Sequence, residues 1–184
     1  MHVAVIFTQG FEEIEGFTII DILRRAEIPT DIIGTTKEEI RGAHNITIIP
    51  DKPLQEITSE SYDAIILPGG SPGYQNLADN DQLISIIKEM HTQKKTLGAI
   101  CAAPYVLAKA GILKGKQATI YPGMEEEIKK GNGIYVDDLV VTDNKIITSK
   151  GPATSMLFAL TLVELFTDTT TKERVAKKLL IHRI

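Results

Sequence analysis

The stretch "KKTLGAICAAPYVLAKAGIL", residues 94–113, decides the fold. An apolar run from Leu97 to Ile100 gives way at Cys101 to a helix-like run from Tyr105 to Ala108. Small residues, Gly98, Ala99, Ala102 and Ala103, flank the cysteine. Pro104 stands just inside the helix start, where a missing N–H costs nothing. A strand that turns sharply into a helix strains the backbone at its tip and needs small neighbours there. The stretch therefore reads as strand, tight turn and helix. Cys101 is then either a small buried hydrophobe, the commoner state of a free cysteine, or a nucleophile held at the tip. As a nucleophile it would face unpaired N–H groups and the positive end of a helix, so its thiol pKa is expected below about 8.5.

Outward from this stretch, strand-like and helix-like segments alternate. "HVAVIF" (2–7), "TDIIGT" (30–35), "NITIIP" (45–50), "YDAIILPGG" (62–70) and "QATIY" (117–121) read as strands. "EEIEGFTIIDILRRA" (12–26) and "DNDQLISIIKEMHTQK" (79–94) carry apolar residues at helical spacing. "GMEEEIKKG" (123–131) reads as a short helix, "YVDDLVVTDNKIITSKG" (135–151) as a hairpin around Asp143-Asn144, and "ATSMLFALTLVELF" (153–166) as a long apolar helix. The tail "TKERVAKKLLIHRI" is amphipathic. Strands rich in Ile and Val between helices imply an α/β fold, a mostly parallel sheet covered on both faces. No linker or repeat interrupts residues 1–184, so one domain is expected.

Sites in such sheets gather outside the carboxyl ends of strands. Three strand exits matter: "FTQGFEEIEG", "LPGGSPG" and "GAICAAP". The first carries Glu12, Glu13 and Glu15, which repel phosphate, and it lacks the glycine pattern of a nucleotide loop. Glu12 and Glu13 suit a helix N-terminus without further explanation. Glu15, one helical turn in beside Ile14, could instead point at the sheet edge. In the second exit, Gly69 and Gly70 form a turn whose N–H groups could donate to an oxyanion.

The four histidines are His2, His44, His91 and His182. His2 starts a strand, His91 is within a helix and His182 is in the tail. His44 alone could approach a pocket, from this chain or a second subunit. None stands opposite Cys101, which argues against a Cys-His hydrolase, and nothing clusters in the manner of a metal site. Without histidine, the proton partner of the thiol falls to a carboxyl group, and Glu15 at the same sheet edge is the candidate. Two adjacent anions repel, so such a carboxyl is driven toward its protonated form and titrates together with the thiol.

Four motifs, "GFEEIEG", "DAIILPGG", "GAICAAP" and "TSKGPATS", in this order and spacing, resemble the ThiJ/PfpI superfamily. The resemblance is to its small single-domain branch, that of the parkinsonism-associated deglycase/chaperone and its bacterial relatives. It implies a flavodoxin-like sandwich that works as a homodimer, with Cys101 at a nucleophile elbow and Glu15 hydrogen-bonded to it. It also implies that Gly70 and Ala102 turn backbone N–H groups to the pocket, and that Gly151 and Pro152 line it. The protease-like branch has a histidine after the cysteine; here Ala102 stands there. The deglycase-like branch often carries a pocket histidine where this chain has Tyr121, a neutral phenol.

The expected activity is that of a glutathione-independent glyoxalase or deglycase, acting on methylglyoxal, glyoxal or their protein adducts without metal or other cofactor. Cys101 and Glu15 would be catalytic, with Gly69, Gly70, Ala102, Tyr121, Gly151 and Pro152 binding substrate. The alternative is a redox-sensing stress protein or chaperone working through Cys101 oxidation. A cysteine peptidase or amidase ranks below both. Net charge is −4, with no broad basic surface for nucleic acid or membrane. The longest apolar run, "MLFALTLVELF", falls short of the roughly 18–20 residues of a membrane helix. "MHVAVIF" at 1–7 does not resemble a secretion signal, and a single cysteine suits a reducing cytoplasm.

Overall fold

The computed structural model describes residues 1–181. The chain opens with β1 (Val3–Phe7), α1 (Glu13–Arg25) and β2 (Thr30–Gly34). A small side hairpin follows, β3 (Ile40–Arg41) and β4 (Thr47–Ile48), and then a short edge strand, β5 (Lys52–Pro53). The middle holds β6 (Ala64–Leu67), α2 (Gly73–Ala78), α3 (Asp81–Thr92), β7 (Thr96–Ile100) and α4 (Pro104–Lys109). Next come β8 (Gln117–Ala118), α5 (Glu125–Lys130), β9 (Ile134–Tyr135), β10 (Val140–Asp143) and β11 (Ile146–Ser149). The described chain finishes with α6 (Ser155–Phe166) and α7 (Thr169–Lys178).

One seven-stranded sheet runs in the order β10-β11-β7-β6-β1-β2-β5. Every neighbouring pair in it is parallel except β10 with β11, the hairpin expected around Asp143-Asn144. The flavodoxin-like sandwich anticipated from the sequence is the observed architecture. Strand periodicity sorts the core into two layers. Val3, Val5 and Phe7 of β1 face α1, α6 and α7, whereas Ala4 and Ile6 face α2, α3 and α4. Among the described residues, no helix is long and apolar enough to cross a membrane.

Two expected strands shrink. "NITIIP" pairs only at Thr47–Ile48, with β3 rather than with the main sheet. Ile46 and Ile49 in it are exposed, so its apolar character does not mark a core strand. "QATIY" pairs only at Gln117–Ala118, with β9. Thr119 N–H then donates to the Thr148 hydroxyl and Tyr121 N–H to the Cys101 carbonyl, so side-chain and turn contacts replace a ladder. The tail supplies α7, and the expected amphipathic segment beyond residue 181, with His182, lies outside the described residues.

Candidate active site

The carboxyl ends of β1, β6 and β7 lie side by side, because β6 sits between the other two in the sheet. The turns leaving these strands therefore converge. Cys101, at the exit of β7, has φ +64°, a left-handed backbone rare for a residue with a side chain. The conformation is held from both sides. Cys101 N–H donates to the Ser149 carbonyl at 2.9 Å, and its own carbonyl accepts Tyr121 N–H at 2.8 Å. Such strain, worth about 1–3 kcal/mol, persists where the surroundings over-determine it.

Glu15 is fully buried on the first turn of α1. Its Oε2 accepts the Gly69 N–H at 2.6 Å, and its Oε1 has no protein partner among the described residues. Gly69 is the spacer between this acid and the cysteine. A methyl group on its Cα would lie 2.8 Å from Cys101 Cβ and 2.9 Å from Glu15 Oε2. Gly70 follows at φ +96°, and any side chain there would strike the Gly10 carbonyl.

Burial pushes Glu15 up to about 7; the Gly69 N–H and the Cys101 thiol pull it back, and the Glu12 charge adds to the rise. Burial and then the Glu15 carboxylate push the Cys101 thiol up to about 12, against the N–H groups of Ala102 and Gly70. This overturns the expectation of a thiol below about 8.5. Burial and the Glu15 charge outweigh the two N–H groups that reach the sulfur, and the first turn of α4 adds no others. Ala103 N–H is taken by the Ile100 carbonyl and Tyr105 N–H by the Ala102 carbonyl, so these donors do not reach the sulfur. What remains is a coupled pair. Between about pH 7 and about pH 12 it holds one proton and one negative charge between two groups.

Above the pair opens a pocket of about 300 Å³, lined by Glu12, Gly70, Ser71, Tyr74, Cys101, Ala102, Tyr121, Met124 and Pro152. Of the residues singled out by sequence, Gly70, Cys101, Ala102, Tyr121 and Pro152 share this wall. Glu15 lies beneath it. Gly69 is turned to the Glu15 carboxyl, and Gly151 stands behind Tyr121, its Cα backing the tyrosine ring. Tyr121 is 47% exposed, a phenol at the rim of the pocket.

Sequence reasoning missed Glu12, Ser71, Tyr74 and Met124 on the wall. Glu12 stands at the N-cap of α1 and also reaches the pocket. Tyr74 sits on α2, where six residues are too few for a periodic signal. His44 reaches this edge within the same chain: its Nδ1 lies 3.0 Å from Glu13 Oε2 and 3.6 Å from Glu12 Oε2. These carboxylates hold its imidazole above the usual value.

The model of the DJ-1/PfpI family matches residues 1–165. The chain belongs to the DJ-1/PfpI family. Protein dj-1beta of Drosophila melanogaster is 36% identical over 179 residues, covering 96% of this chain and 95% of that one. Its crystal structure superposes with a TM-score of 0.95 at 35% identity, covering both chains fully. The glutathione-independent glyoxalase DJR-1.2 of Caenorhabditis elegans is 35% identical over 153 residues, 83% of this chain and 81% of the relative. A structure of Toxoplasma gondii DJ-1, described as oxidized, has a TM-score of 0.93 at 33% identity, covering 99% of each chain. The four motifs read from the sequence thus lie within the family match, and Cys101 and Glu15 are this family member's buried thiol–carboxyl pair.

Proposed function

We propose that this chain is a cysteine-dependent, glutathione-independent glyoxalase or deglycase, acting on methylglyoxal, glyoxal or their adducts. The observation that carries this reading is the buried Glu15 carboxyl set beside Cys101 across Gly69, beneath an open pocket. One proton between two groups is what an internal redox rearrangement needs. The Cys101 sulfur adds to the aldehyde carbon of methylglyoxal, and the proton of the pair goes to the aldehyde oxygen. That leaves Glu15 as carboxylate, free to take the C–H proton of the hemithioacetal. The electron pair moves onto the neighbouring carbonyl, Glu15 returns the proton to the second carbon, and the hydroxyl proton on the first carbon passes to the oxygen of the second. The product is a thioester of a 2-hydroxy acid. Water cleaves it, freeing lactate and restoring the thiol. Carbon one is oxidised and carbon two reduced, so no outside oxidant is required. The N–H groups of Gly70 and Ala102 face the sulfur and steady the adjacent oxyanion. The glyoxalase activity named for the worm relative supports the reading.

Consumption of methylglyoxal without glutathione tests it. The parent chain converts methylglyoxal to lactate and Cys101→Ala does not; equal rates in both would remove the proposal.

A second reading, thiol oxidation as a stress signal, is favoured by the N–H donors around the sulfur and by the oxidized Toxoplasma neighbour. Mass spectrometry after mild peroxide reads it as added oxygen on Cys101 ahead of the methionines. Peptidase chemistry lacks support, since Ala102 follows the cysteine and none of His2, His44 and His91 lines the pocket.

The working unit in this proposal is a cytoplasmic homodimer. Ile14 on α1 and Ile46 and Ile49 on the side hairpin are exposed, and Glu13 accepts the Ile46 N–H, which brings the two segments together. Sedimentation at low concentration distinguishes a dimer from a single chain.

A further inference from the structure

A second concavity, of about 360 Å³, lies at the opposite end of β7, beside the β10–β11 turn. It is lined by His91, Lys94, Lys95, Lys116, Asp143, Asn144, Lys145 and Ile146, and most of that lining is apolar carbon. These residues sit at the end of α3, at the entry to β7 and on the β10–β11 turn. The five residues of β7 separate them from Cys101 by about 16 Å. Four lysines around one acid is unusual in a chain of net charge −4.

The acid is already satisfied. Asp143 accepts the Gln117 N–H at 2.9 Å, the Asn144 amide at 2.7 Å and the Lys116 ammonium at 3.3 Å. Lys95 is tied to the Ser59 and Tyr62 carbonyls at 2.7 and 3.0 Å. The Lys94, Lys145 and His91 side chains have no protein partner among the described residues. Lys94 and Asn144 both have left-handed backbones, φ +58° and +56°, which set the turns from which these side chains rise. Fixed cations at the floor, free cations at the rim and apolar carbon between them suit an anionic group joined to a flat, weakly polar body. The volume is that of a small-ligand site.

We propose that this concavity binds a nucleoside diphosphate, the phosphates meeting Lys94, Lys145 and His91 and the base lying on lysine methylenes and Ile146. The site is separate from the Cys101 pocket and does not depend on its chemistry.

Calorimetric titration with ADP, inorganic pyrophosphate and adenosine tests this. ADP binds the parent chain more tightly than either fragment, and more weakly as salt rises. Lys94→Glu combined with Lys145→Glu weakens ADP at least about tenfold, while Cys101→Ala leaves it unchanged. Single Lys145→Gln, on an exposed turn, gives a smaller loss in the same direction and guards against misfolding of the double variant. Amide shifts on ADP addition fall at residues 91–95, 116 and 143–146. ADP affinity unaltered by these substitutions, or no binding at millimolar ADP, overturns the proposal. Equal affinity for pyrophosphate and ADP overturns its nucleoside part.

Discussion

Glu13 and Glu15 lie two residues apart on the same helical turn, and both are buried, yet their acidities move in opposite directions. Burial raises each. For Glu13 the donors outweigh it: its own backbone N–H, the His44 ring at 3.0 Å, and the His44 and Ile46 N–H groups at 2.7 and 3.3 Å hold the carboxylate below its usual range. Glu15 has one backbone donor and one empty oxygen beside a thiol, and burial wins. The difference teaches that depth and donors together decide whether a buried acid keeps its charge, Glu15 lying deeper with fewer donors. It also separates a clamp from a proton carrier. Glu13 ties the side hairpin to α1; Glu15 is the acid proposed to share a proton with Cys101.

The sharpest way to break this contrast is to remove the thiol. Cys101→Ala is expected to abolish methylglyoxal turnover and to raise the Glu15 pKa further, because the thiol that pulls it back is gone, read by carboxyl NMR titration; turnover at the parent rate would leave Glu15 without a catalytic partner.

Next in size is Glu15→Gln, expected to lower kcat/KM about a hundredfold with the fold retained. Stability against pH gives its second readout. The folded chain raises Glu15 from the usual 4.5 to about 7, so it holds this proton more tightly than the unfolded chain. That stabilisation is full below about pH 4.5 and is lost as pH climbs through about 7, a change of about 3 kcal/mol. Urea unfolding at pH 5 and pH 8 should show this loss in the parent and not in Glu15→Gln.

Gly69→Ala comes third. The added methyl meets Cys101 Cβ and Glu15 Oε2 at under 3 Å, so the pair must separate. Turnover is expected to fall about tenfold, equivalent to about 1.4 kcal/mol in the barrier. An unchanged rate would show that contact between acid and thiol is not needed.

The smallest effect on chemistry belongs to Glu13→Ala. It strands the His44 and Ile46 N–H groups and should cost about 2 kcal/mol of stability, with turnover per folded molecule close to the parent. In the parent, this carboxylate contributes stability above about pH 4.5 that is lost as pH falls through its lowered value. Its pH dependence thus runs opposite to that of Glu15.

Much of this was legible in the chain. Small residues around Cys101 announced a tight turn, and the turn is there at φ +64°. Alternating Ile-rich strands and helices announced a parallel sheet. Glu15 was legible as a candidate because it follows a strand exit by one helical turn. "NITIIP" was misread because exposed isoleucines on a side hairpin carry the same local pattern as a core strand. Tyr74 and Met124 were invisible because their elements are short and meet Cys101 only through the fold.

The order of apolar and small residues along the chain was enough to determine the central strands, the sharp turn at position 101 and Glu15 as a candidate acid at a neighbouring strand exit. Those are local matters, set by backbone sterics and hydrophobic period. The charge on that acid and sulfur was decided only in three dimensions. Acidity depends on which N–H groups reach an atom and how much water is excluded from it, and most of these are supplied by segments distant in sequence: Gly69 and Gly70 around one pair, and His44 and Ile46 around its neighbour.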